Sequence, residues 1–297
     1  MRLLHKEATA LTKAYRRLFG IFTALFAVGL CAALPILTVL ILRYIDPSSH
    51  FYTTSGGLVA AAQILLAVVT ALLILPLFFR SAGDGGFGRG NFSSRRRPAV
   101  AAFAALEGVA LAVSSAWNVL DAGAKGTGAF LTGLCGIAAA VFFFLLCAQL
   151  MRGGRGPDLR MAALLPVLWS VVALVAAFMT LTQIANISQY LYEVLQMVFA
   201  SLFLYYHARL TGGLSNRREL NGVFALGLPC AFYGFAATLP NYFAHLANHA
   251  RGRMPVPGDY ALLALSLYIL ALLVSLLREK PATEAPAAPD APGEPKP

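Results

Sequence analysis

The sequence predicts an all-α protein: a polytopic membrane bundle of eight transmembrane helices with both termini on the cytoplasmic side. Three observations lead there. Hydrophobic residues make up 59% of the 297 and charged residues 12%, with a mean hydropathy of +0.71. A soluble domain is about a quarter charged, because its surface must be wetted. The apolar residues also fall in runs of about twenty, the length that crosses a hydrocarbon core of about 30 Å. Finally, lysines and arginines collect in alternate connections, the pattern of short cytoplasmic loops.

The runs cover 18–42, 57–79, 98–120, 128–150, 161–181, 189–210, 222–245 and 260–277, within a membrane domain over 1–278. The first follows a basic segment, as a signal peptide would. Yet Leu18–Leu42 is too long for an h-region, no small-x-small site closes it, and a bulky Leu30 before Cys31 makes a poor lipobox. It is read as a retained helix. The third run carries Glu107 and the sixth Glu193, while Pro166 interrupts the fifth and Pro229 and Pro240 the seventh.

The basic residues test this count independently. Segment 1–17 holds Arg2, Lys6, Lys13, Arg16 and Arg17, and the second-to-third connection holds Arg80, Arg89, Arg95, Arg96 and Arg97. Arg152, Arg155 and Arg160 follow the fourth run, Arg209, Arg217 and Arg218 the sixth, and Arg278, Lys280 and Lys296 the last. The other side has Arg43, Lys125, Arg251 and Arg253, so 19 of the 23 Lys and Arg share one side. Adding or deleting one span would scatter them over both. The alternation therefore places both termini in the cytoplasm, for a multi-pass protein of a bacterial-type plasma membrane. It also explains the net charge of +10 without nucleic acid, since Arg95–Arg97 lack a folded domain and interleaved aromatics. The partner implied for these loops is anionic lipid.

Two segments read as disordered. Residues 81–97 combine Gly, Ser and Arg, and 279–297 form a Pro- and Ala-rich cytoplasmic tail.

Chemistry is sparse. Glu107 lies roughly 14 Å into its span at 1.5 Å per residue, where a bare charge costs several kcal/mol. Such a carboxyl either carries its proton or faces a polar cavity. Helical spacing lines it up with Leu111, Ser114 and Asn118, a stripe directed into the bundle. In the sixth span Gln189, Glu193 and Gln196 share a face with His207, which is read as an interfacial anchor beside Tyr205 and Tyr206 rather than a metal ligand. Pro229 and Pro240 are helix-break candidates, of the kind that transporters use to turn backbone carbonyls towards a substrate. If the third, sixth and seventh spans are neighbours, then Glu107, Ser114, Asn118, Gln189, Glu193, Gln196 and Asn241 line a polar pocket open to the outer side. Ala104, Gly108, Ala112 and Ala116, four apart, suit close helix packing within the chain.

The four cysteines sit inside apolar runs with no C-x-x-C pair, and are read as packing residues. No metal site or cofactor is expected. H-E-x-x-H, G-x-S-x-G and Walker A motifs are missing, so no enzyme is expected either. The function implied is a small-solute transporter or permease-like protein. The alternative is a non-transporting sensor or accessory subunit that binds a protein partner or a small ligand.

Overall fold

A helix stands over each of the eight apolar runs, because a backbone surrounded by lipid must bond to itself. The computed structural model describes residues 2–45, 57–78, 96–153, 158–181, 188–212, 217–248 and 256–278, and among these it contains no strand. The elements are α1 (Arg2–Tyr44), α2 (Gly57–Ile74, continued by a 3-10 turn Leu75–Phe78), α3 (Pro98–Leu120), a short α4 (Ala122–Lys125), α5 (Thr127–Arg152), α6 (Leu164–Leu181), α7 (Ser188–Thr211), α8 (Arg217–Ala247) and α9 (Pro257–Arg278). Segments 79–95 and 279–297 lie outside the described residues.

Six of these helices are long and apolar enough to cross a membrane, which makes this a multi-pass membrane protein. They are α1, α2, α3, α5, α8 and α9. The apolar stretch described in α6, Leu164–Met179, is shorter, and α7 is diluted by Glu193, Gln196, His207 and Arg209.

The prolines behave differently from expectation. Pro166 falls in the first turn of α6, where its missing N–H had no helical partner to lose, so it starts the helix rather than interrupting it. The breaks expected at Pro229 and Pro240 do not appear, because α8 runs unbroken through both. Each proline leaves one carbonyl, that of Ala225 or Ala236, without its helical amide. Both alanines are buried, and 94% of the apolar window of α8 is enclosed by protein. The kink sites are therefore covered by other helices and not by lipid.

Helices α3, α5, α6, α7, α8 and α9 each pack on the next, and α9 returns to α3, so the six form a closed ring. Helices α1 and α2 cover the outer side of α8. Helix α1 runs alongside α8 through a stack of Phe19 on Phe224 (4.1 Å between ring centres) and edge contacts of Phe26 with Phe232 and Phe235. Helix α2 bonds to α8 from Thr70 Oγ1 to Tyr233 Oη, at 3.1 Å.

The most extensive contact in the ring is α3 on α5, and glycines of α5 contribute to it. A Cβ on Gly133 would lie 2.8 Å from the Ser115 carbonyl oxygen, and one on Gly136 would collide with Ser115 Oγ. Gly108 faces the Phe144 ring, which a Cβ would approach to 3.1 Å, so that the ring would have to give by a few tenths of an ångström. Of the small-residue stripe read from the sequence, Ala104 and Gly108 are buried, Ala112 is half-buried and Ala116 is exposed. The stripe thus serves the contact over only part of its length, and α5 supplies the rest.

One end of the ring carries Arg97, Arg152, Arg209 and Arg278. There the Arg97 amide donates to Leu150 O (3.2 Å) and its guanidinium to Ser275 Oγ (3.3 Å), tying α3 to α5 and to α9. The disorder expected over 81–97 therefore does not extend to Arg97, whose side chain is buried. Arg209 pairs at 2.8 Å with the buried carboxylate of Glu219, closing α7 onto α8.

Candidate functional site

Glu107 projects from α3 towards the middle of the ring and has no exposed surface. Neither of its carboxyl oxygens has a hydrogen-bond partner. Two pairings set its level: Arg97 meets Ser275 near one end of α9, and Ser114 approaches Gly258 near the other. This antiparallel register brings Glu107 level with Leu265 and Ser266. Cys230 of α8 and Tyr268 of α9 lie within its electrostatic reach.

Gln196 reaches the same layer from α7. Its side-chain amide donates to Leu262 O (3.1 Å) and to Ser266 Oγ (3.5 Å), and its Oε1 is buried without a partner. Bonding to a carbonyl fixes which end of the amide is nitrogen. Gly234 of α8 makes room, since a Cβ there would collide with Ser266 Oγ and lie 2.5 Å from Gln196 Nε2. Ser266 itself donates back to Leu262 O at 2.8 Å. The layer thus combines α3, α7, α8 and α9.

Towards the basic end, His207 Nε2 and Tyr268 Oη share a hydrogen bond of 2.7 Å, walled by Phe142, Phe143 and Phe203. His207 is 1% exposed, so it is a core residue and not the interfacial anchor that its tyrosine neighbours suggest. Successive helical residues point 100° apart, and Tyr205 faces outward while His207 faces in.

The remaining candidates are spread out. Ser114 is buried near the start of α9, and Asn118 and Glu193 are half-buried. Asn241 is buried, donates to Ala237 O of its own helix (2.8 Å) and leaves its Oδ1 without a partner. The Gln189 side chain lies outside the described residues.

Two features of the expected pocket are corrected. Helix α3 is not a backbone neighbour of α7 or α8, because α9 stands between α3 and α8, and α5 and α6 between α3 and α7. The pocket is also not open around its deepest members, since Glu107 and Gln196 are fully buried. Sequence reasoning missed Ser266, Tyr268 and Gly234. The available signals were a serine and a tyrosine two apart in an apolar helix, and a glycine midway between two prolines.

Chemically the layer is lopsided. Its unmet atoms are the two oxygens of Glu107 and Oε1 of Gln196, with Oδ1 of Asn241 further out. The amide oxygens are acceptors, and so are both oxygens of Glu107 when it is ionised, so what the layer then lacks is a donor: a proton, a cation or an amine. No cluster of three or more metal-binding side chains occurs among the described residues. No family model, no curated protein and no solved structure matches the chain.

Proposed function

We propose that the chain crosses a bacterial-type plasma membrane eight times, with both ends cytoplasmic, and moves a small hydrogen-bond-donating solute or a proton through the middle of the ring. The observation that carries this is Glu107: a carboxyl with no exposure and no partner on either oxygen. A buried polar group left unmet costs about 1–3 kcal/mol, and ionisable residues inside a membrane mark solute, ion and proton pathways by default. A donor that reaches the layer removes that cost, and the closed surroundings describe an occluded conformation. The count of eight is supported by the place of α6 and α7 in the ring, where together they join α5 to α8, both long enough to span.

Orientation has a direct test. Alkaline phosphatase fusions at Asn248 are expected to be active and fusions at Gly86 silent, with fluorescent-protein fusions giving the reverse. Equal signals from the two sites would refute the orientation.

Transport is tested in liposomes reconstituted with the purified protein. Protons driven by a potassium diffusion potential, and methylammonium as an amine probe, are followed with a trapped pH dye. Flux of at least one is expected above that of protein-free liposomes, and Glu107→Gln is expected to cut it at least tenfold. If wild-type liposomes conduct no better than protein-free ones, or if Glu107→Gln conducts like wild type, the reading fails.

A further inference from the structure

A groove of about 690 Å³ runs between α3 and α9 on the outside of the ring, starting at its basic end. Its wall includes Phe103 of α3 and Leu270 and Val274 of α9, and its mouth carries Arg96, Arg97 and Arg278. Among the described residues, none that lines it is acidic. From Leu267 to Arg278 the α9 side of the groove is about 16 Å long at 1.5 Å per residue. That is about half of the 30 Å hydrocarbon core, one leaflet deep.

We infer that this groove holds one anionic phospholipid of the arginine-side leaflet, with its phosphate on the arginines and an acyl chain along the wall. The charge argues for the headgroup, because three guanidiniums gather where an apolar slot reaches the interface, and arginine matches phosphate with paired donors. The shape argues for the chain. A helix 10–12 Å across would need about twice this volume over the same length, whereas one flexible chain needs far less width. The arrangement is also built in: Arg97 is 7% exposed and its guanidinium is bonded to Ser275, so one of the cations is held in place by the fold. The first turn of α3, which begins at Pro98 without a side-chain cap, adds amide donors on the same side. The site rests on the membrane reading alone and not on any transport by the ring.

Native mass spectrometry of the detergent-purified full chain, titrated with dioleoyl-phosphatidylglycerol or dioleoyl-phosphatidylcholine, tests it. The wild type is expected to bind the anionic lipid at least tenfold more tightly than the zwitterionic one. Arg96→Gln with Arg278→Gln should bring the two close to parity, since each basic residue near the surface adds attraction for anionic lipid. Arg97 is left alone because it joins α3 to α9. Ala271→Phe, which fills the slot and keeps every charge, should remove most adducts of both lipids, and inorganic phosphate should displace none. Equal binding of the two lipids by the wild type would overturn the proposal. So would an unchanged preference in the arginine double variant, or full lipid binding by Ala271→Phe. Displacement by inorganic phosphate would reassign the site to a free anion, and lipid-free dimers would reassign it to a second copy; either outcome also overturns it. Unfolding temperatures close to wild type identify the variants whose binding can be compared.

Discussion

Replacing Glu107 by methionine is expected to raise the unfolding temperature of the purified protein while abolishing flux. A buried acceptor with no partner costs the fold about 1–3 kcal/mol, and methionine fills a similar volume with an adaptable, apolar side chain. The change removes an unmet carboxyl from a layer where neither of its oxygens is bonded. Glu107→Gln separates the contributions: it keeps shape and polarity, should unfold close to wild type, and still loses the proton and the charge. The opposite result is as informative. If Glu107 were glue between helices, both substitutions would lower stability, as breaking a hydrogen bond between membrane helices does. Thermal unfolding in detergent, read beside the liposome fluxes, distinguishes a residue kept for what it binds from one kept for what it holds.

The second large effect is expected at Gly133. Valine there would place its Cβ 2.8 Å from the carbonyl oxygen of Ser115 and 2.7 Å from Val119 Cγ2. A side chain can swing away, but a carbonyl inside α3 cannot, so α3 and α5 must separate. Overpacking of this kind costs about 1–3 kcal/mol, and the same separation would disturb the side of α3 that bears Glu107. Gly20→Ala is the control with the opposite sign. Nothing lies within 4 Å of its added methyl, and alanine in a helix gains up to about 1 kcal/mol over glycine. Unfolding temperatures of the two variants should move in opposite directions, and a stable Gly133→Val protein would show that α3 and α5 are not held as closely as described.

What was legible followed from solvent. Lipid excludes unbonded backbone and charge, so the helices over the apolar runs and the inward face of Glu107, Leu111 and Ser114 could be read from composition and spacing. What was not legible depended on partners. Spacing along α3 says which face Glu107 takes, but only the packing of α9 between α3 and α8 says that Ser266 and Tyr268 lie near its level. Pro229 and Pro240 look like breaks until it is known that other helices surround α8. His207 looked interfacial because Tyr205 and Tyr206 precede it, although they point elsewhere. The α5 glycines that face Ser115 of α3, Gly133 and Gly136, lie three apart and not at the four-residue spacing of the stripe on α3.

The return of α9 onto α3 has a consequence for how the protein is made. Chain order supplies α3, α5, α6, α7 and α8 one after another, and in the fold each packs on its predecessor. Until α9 emerges, these five helices form a horseshoe whose opening exposes the Glu107 face of α3 and one flank of α8. The 18-residue apolar window of α8 has a mean hydropathy of 1.6, the lowest among the six long apolar helices, so it gains least from being left against lipid. The 22-residue helix Pro257–Arg278 closes the horseshoe on both sides at once. The layer around Glu107 is therefore complete only once α9 is in place, and a bundle lacking α9 would have its interior open to the bilayer.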